Sequence, residues 1–311
     1  MARYGGAARK KPARKLAKRP AKKLAKRTAK KLLKKSGKKP AAKKRQPPTT
    51  NPKRLGGAKP TPVAKKRRSI AKPGRREKPG QRSERATEKL ADATHQVMKR
   101  TWSSWGALET DVIAHAINPS LMGGPRWPGM RQAYRVAHSK DLVLIASDGL
   151  ADPYDPGEGP EDTNGLGLEM FAVTDDDIAR EGEQGVGRYG ATWLHDLVFQ
   201  CSHLAASHGQ LGELIDELGA VSTEASDVNI PASHTERFVN PEGRVGVLLS
   251  PGFGSLPPRV DGPLGPIRLV RVHLLTLEEL SYVLEGGDAA RTKLAAKLAR
   301  VPTRLDRLSF V

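Results

Sequence analysis

Tyr134-Arg-Val-Ala-His-Ser-Lys-Asp-Leu-Val-Leu-Ile-Ala146 reads as two strands laid against each other, over 134–136 and 141–146. The second run is apolar without alternation, the pattern of a strand covered on both faces. Residues 147–164 follow as an acidic loop broken by Pro153, Pro156 and Pro160, and Gly167-Leu-Glu-Met-Phe-Ala-Val-Thr174 reads as another strand. The clearest helix is 193–207, where Trp193, Leu194, Leu197, Val198, Cys201, Leu204 and Ala205 recur at helical spacing. Gly209 stands behind it as a C-terminal stop. On the N-terminal side, 84–100 reads as a helix that 101–105 ends, 111–116 as a short apolar stretch, and 118–129 as a Pro/Gly-rich loop. Further on, 211–218 is a short helix or turn, and Ser222-Thr-Glu-Ala-Ser226 a turn. Strands at 244–249 and 267–274 are joined by a Gly/Pro-rich loop. Thr276 caps the next helix, with Glu279 completing a capping box, and 291–300 forms the last one. No βαβ rhythm organises these elements. They predict an α+β fold, a mixed β-sheet with flanking helices, preceded by a disordered basic tail.

Charge divides the chain into 1–85 and 86–311. Of 54 Lys and Arg and 33 Asp and Glu in all, residues 1–83 hold 33 basic and one acidic, Glu77. The rest therefore carries 21 basic and 32 acidic residues, so a net charge of +21 conceals two bodies of opposite sign. Cys201 is the only cysteine, which rules out an internal disulfide and fits a reducing compartment. No apolar run is long enough to span a bilayer, and the basic N-terminus lacks the apolar stretch of a secretory signal. A mitochondrial presequence would favour Arg and Ser over the Lys, Ala and Pro present here.

Three octads repeat in the basic segment: Ala13-Arg-Lys-Leu-Ala-Lys-Arg-Pro20, Ala21-Lys-Lys-Leu-Ala-Lys-Arg-Thr28 and Ala29-Lys-Lys-Leu-Leu-Lys-Lys-Ser36. So few apolar residues cannot offset ordering entropy, so disorder is expected for the free segment. Leu residues eight apart drift by about 80° around a helix, so no apolar stripe forms for a membrane surface. The composition resembles the tails of linker histones and of basic nucleoid proteins. Nucleic acid, DNA or RNA, is the expected partner. The contacts would come from Lys15, Lys18, Arg19, Lys22, Lys23, Lys26, Arg27, Lys30, Lys31, Lys34 and Lys35, without base specificity.

Four motifs of the remaining chain occur in order: Ser147-Asp-Gly-Leu-Ala151, Gly165-Leu-Gly-Leu-Glu-Met-Phe171, Trp193-Leu-His-Asp-Leu-Val-Phe-Gln200 and Leu275-Thr-Leu-Glu-Glu-Leu280. Together they resemble the Suppressor of fused domain family in its bacterial single-domain form, over about residues 100–285. The resemblance implies a binding module rather than an enzyme. The eukaryotic namesake clamps an extended peptide of a transcription factor, and bacterial relatives are regarded as toxin-immunity proteins. This chain lacks the second domain, so that clamp does not carry over directly.

Ala146-Ser-Asp-Gly-Leu-Ala-Asp152 also resembles the metal motif of metal-dependent Ser/Thr phosphatases, although the N-terminal Asp-Gly element of those enzymes is missing. Asp148, Asp152, Asp155, Glu158, Glu161 and Asp162 lack the ligand spacing of a Ca²⁺ loop and read as a solvated acidic loop. His195, His203 and His208 read as polar helix residues, Cys201 as a buried hydrophobe, and Glu169 as a buried acid in need of a partner. No cofactor or metal is expected. The candidate partner site is a groove between the 147–165 loop and the strand 167–174, comprising Asp148, Asp152, Tyr154, Asp155, Glu169, Phe171 and Trp193. An exposed strand edge there could accept a peptide. The sequence thus predicts a non-enzymatic, regulatory or immunity-type protein-binding domain tethered to nucleic acid, cytoplasmic and nucleoid-associated. A DNA-compacting protein with a structural globular part, or a phosphatase-like hydrolase, are the alternatives.

Overall fold

The computed structural model describes residues 83–311. Residues 1–82, which hold the expected disordered tail and every candidate nucleic-acid contact from Lys15 to Lys35, lie outside them. Ser83 opens helix α1 (Glu84–Trp105), its hydroxyl accepting the Ala86 amide at 3.3 Å. The helix runs to Trp105 rather than ending near residue 100, because Trp102 and Trp105 are both buried.

Among the described residues nine strands form one mixed sheet: β1 (Ala107–Leu108), β2 (Ile113–Ala114), β3 (Ala133–Ser139), β4 (Leu142–Asp148), β5 (Leu168–Thr174), β6 (Val221–Ala225), β7 (Val245–Pro251), β8 (Arg259–Gly262) and β9 (Gly265–Leu275). The main order is β1-β3-β4-β5-β9-β7-β6, with β2 beside β3 and β8 beside β9. The β3–β4 hairpin pairs Ala133 with Asp148 through Ser139 with Leu142, as its two apolar runs require. All pairings are antiparallel except β5 with β9, which joins residues about a hundred positions apart.

Helices cover both faces. Met98, Trp102 and Trp105 of α1 pack on Ala137, Leu144, Ala146, Phe171 and Leu269. Helix α2 (Trp193–His208) packs Leu194, Leu197, Val198 and Cys201 on Val136, Ile145, Met170 and Val272, then stops at Gly209 in the left-handed region. Helix α3 (Leu211–Leu218) adds Leu211 and Ile215 to that layer. After a single turn, α4 (Thr235–Phe238), the last element is α5 (Leu277–Leu298). Its capping box joins Thr276 and Glu279 in both directions, and Gly287 (φ 59°, ψ −141°) breaks it into two helices, the second ending at Leu298, two residues short of the expected 291–300.

The sequence reading missed four strands: the two-residue β1 and β2, and β6 and β8. Ser222-Thr-Glu-Ala-Ser226 is not a turn: β6 occupies 221–225, paired with β7 at the edge of the sheet, where mixed side chains carry no alternation signal. β8 lies inside the Gly/Pro-rich loop. The exposed edge expected at 167–174 is absent, because β5 is central. β4 flanks its C-terminal half and β9 its N-terminal half, and the Thr303 amide closes onto the Val173 carbonyl at 2.7 Å. No peptide strand can add there.

Residues 301–311 fasten the layers. Arg307, buried, binds both oxygens of the fully buried Glu279 (2.6 and 2.5 Å) and the Leu274 carbonyl (2.8 Å). Glu279 Oε1 also accepts the Phe310 amide at 3.1 Å. Removing one member of such a pair strands a buried charge, so Arg307→Met is expected to cost about 3–5 kcal/mol in urea unfolding. The double variant Glu279→Leu/Arg307→Leu is expected to recover part of that loss.

Candidate functional site

The register between β4 and β5 ends at Ala146 and Phe171, and beyond it Glu169 takes over. Its buried carboxyl group accepts the Ser147 hydroxyl and the amides of Gly149 (3.1 Å) and Ala151 (3.0 Å). Ser147 Oγ in turn accepts the Met170 amide at 2.8 Å. Glu169 therefore holds the 147–151 turn against its own strand. Burial pushes its pKa up to about 7 in spite of these donors. The turn is tight enough to demand glycine at two points. A Cβ on Gly149 (φ 137°) would overlap the Arg131 carbonyl, and one on Gly165 (φ 50°) those of Asp152 and Leu150.

The turn delivers Asp148 and Asp152 to a cluster of cations. Arg135 Nε, from β3, reaches Asp148 Oδ2 at 2.8 Å, and Arg131 binds Asp152 through Nε at 3.0 Å and through Nη2. His95 of α1 stands between, with Nδ1 3.4 Å from Asp148 and Nε2 3.2 Å from Arg135 Nη2. Burial opposes the Asp148 charge, but the His95 bond and the two guanidinium charges outweigh it and hold the carboxyl below its ordinary range. The solvated acidic loop is thus corrected at its centre: Asp148 and Asp152 are 2 % and 5 % exposed. Farther out, Asp155 and Glu158 pair with Arg126 at 3.2 and 2.8 Å. The phosphatase reading loses its ligand as well, since Asp148 faces two arginines where further carboxylates would be needed. Among the described residues no group of three or more His, Cys, Asp or Glu is placed to hold a metal ion.

Beside the cluster lies a cavity of about 330 Å³ lined by Arg131, Gln132, Arg135, Asp148, His115 and Met130, among others. Asn118, Pro119 and Met130, from the two ends of the 117–130 loop, also line it, and Asn118 Nδ2 donates to the Met130 carbonyl at 3.1 Å. Ile117, Leu121, Met122 and Met130 on this loop are 59–77 % exposed. A second cavity, of about 480 Å³, is lined by Trp193, Ile178 and Leu305 with Asp176, Asp177 and Asp306.

The seven candidate residues do not share one surface. Asp148 lines the first cavity and Trp193 the second. Phe171 is buried against Trp102, ring centroids 5.7 Å apart, and Glu169 is equally inaccessible. Tyr154, half-buried, lies over Gly159, and Asp155 is engaged by Arg126. Arg131, Gln132, Arg135 and the apolar loop were missed by the sequence reading. Leu121 and Met122 in a Pro/Gly-rich loop were the available signal.

The α2 histidines are also less ordinary than expected. His195 is buried edge-on to Tyr134 (4.9 Å), and Phe199 lies against His195, His203 and, from outside the helix, His115. Cys201 is buried as expected, its thiol pushed up to about 12 by desolvation.

No family model and no curated protein matches the chain. Among solved structures, a chain of "the Sufu-Fu complex crystal structure" aligns with 71 % of this chain and 91 % of its own length, at 13 % identity and a TM-score of 0.39.

Glu169 carries a pH signature. Its pKa is raised from 4.5 to about 7 on folding, so its contribution is full below 4.5 and is lost as pH rises through 7. The difference in stability between wild type and Glu169→Gln is expected to change by on the order of 1 kcal/mol per pH unit across that window, moving against wild type as pH rises. Urea unfolding at a series of pH values measures it.

Proposed function

We propose that this chain is a non-enzymatic protein-binding domain of the Suppressor of fused type, tethered to nucleic acid by its basic N-terminal segment. The observation that carries the binding role is the presence of Ile117, Leu121, Met122 and Met130, all exposed, on one loop whose ends line a cavity. Isolated apolar side chains on a surface need no explanation, whereas several large ones exposed on one short loop point to an interface. The family assignment rests on the four ordered motifs. Two of them, the 147–151 turn and the strand holding Glu169, are bonded to each other. The tether rests on 33 basic residues against one acidic in residues 1–83. A regulatory or toxin-restraining role, in the cytoplasm and close to the nucleoid, follows from joining the two.

The two roles separate experimentally. Leu121→Asp/Met122→Asp alters only exposed positions, so folding and DNA affinity are expected to stay unchanged. Capture of a stoichiometric protein from nuclease-treated native lysate by the full chain is expected to be lost. Equal capture by wild type and variant, or capture of nothing by either while both coat DNA alike, overturns the binding role in favour of a DNA-compacting protein. For the tether, duplex affinity is expected to fall steeply and linearly in log salt and to ignore base sequence. A flat response overturns it.

A further inference from the structure

The cavity lined by the ends of the 117–130 loop is chemically incomplete on its open side. Arg131 uses Nε and Nη2 on Asp152, and Arg135 uses Nε on Asp148 and Nη2 on His95. The Nη1 group of each guanidinium makes no hydrogen bond among the described residues. Arg131 and Arg135 are 29 % and 11 % exposed, against 5 % and 2 % for their partners Asp152 and Asp148, so the guanidinium is the more exposed end of each pair. Gln132, more than nine-tenths buried in the same lining, donates from Nε2 to the Pro125 carbonyl at 3.3 Å. Its Oε1 is buried without any partner. That atom is out of reach of solvent, so the donors the cavity leaves open are the two Nη1 groups.

We propose that this cavity anchors an acidic side chain of a partner peptide whose neighbouring apolar residues lie along Ile117, Leu121, Met122 and Met130. The inference deepens the protein-binding reading and rests on it. A planar carboxylate suits two free guanidinium edges. The exposed methionines, of which Met130 lines the cavity, give an adaptable apolar rim. That rim selects a peptide over a nucleic-acid phosphate, which has no apolar neighbours to set against it.

The test uses the full chain at 0.5 M NaCl, where the Debye length of about 4–5 Å screens the basic segment. The probe is a nine-residue peptide with one Glu flanked by photo-leucines, compared with its Gln twin. Photolabel is mapped by mass spectrometry as a function of peptide concentration. The Glu peptide is expected to label the 117–130 loop and to half-saturate at about tenfold lower concentration than the twin, the worth of one charge-assisted hydrogen bond. Equal labelling of the loop by both peptides overturns the acid anchor and leaves the protein-binding reading standing. Label found only on residues 1–82, or no label on the loop at millimolar peptide, also overturns the anchor. So does displacement of the label by an equimolar single-stranded oligonucleotide. Failure of the protein-binding reading itself shows separately, as unchanged protein capture by Leu121→Asp/Met122→Asp.

Discussion

A carboxyl group in the middle of a sheet covered on both faces is tolerable only where donors surround it, and Glu169 is such a group. It meets the Ser147 hydroxyl and two backbone amides of the turn that follows β4, so the turn has one available path. That path puts Asp148 and Asp152 under Arg131 and Arg135, and these arginines in turn form the floor of the cavity. The fold and the candidate site are therefore consequences of the same buried acid, and neither can be altered at this point without the other.

Features set by local sequence were legible. The β3–β4 hairpin, the apolar face and glycine stop of α2, and the Thr276–Glu279 capping box each depend on residues within a few positions of one another. Features set by distant pairing were not. Asp148 and Glu158 look alike in a list of acidic residues, yet one is buried under two arginines and the other meets solvent. Only the approach of β3 to the 147–152 turn distinguishes them. β6 escaped notice because an edge strand has one neighbour and little need for a regular pattern. Phe171 and Glu169 were legible as important but misassigned to a surface, because a strand central to a sheet and one at its edge read alike when both are apolar.

The candidate site joins two kinds of surface that are unfavourable alone. Apolar side chains in water invite nonspecific adhesion, and a guanidinium edge without an acceptor forgoes a charge-assisted bond. Placed side by side they select a partner that satisfies both at once. The ion pairs behind the cavity keep this end of the domain close to neutral, so its selectivity comes from geometry rather than from the bulk charge, which is negative across the domain.

The last stretch of chain finishes the middle of the sheet. Thr303 caps the open half of β5, Arg304 binds Asp175 just past it, and Arg307 seals Glu279 beneath β9. During synthesis the basic segment emerges before the domain that follows it, and the residues that complete β5 come after every strand of the sheet. The parallel pairing of β5 with β9 already makes for slow folding. The positively charged segment is thus outside the ribosome for the whole time that the sheet is unfinished. A tag or truncation at residues 303–311 would act on the centre of the domain rather than on its margin.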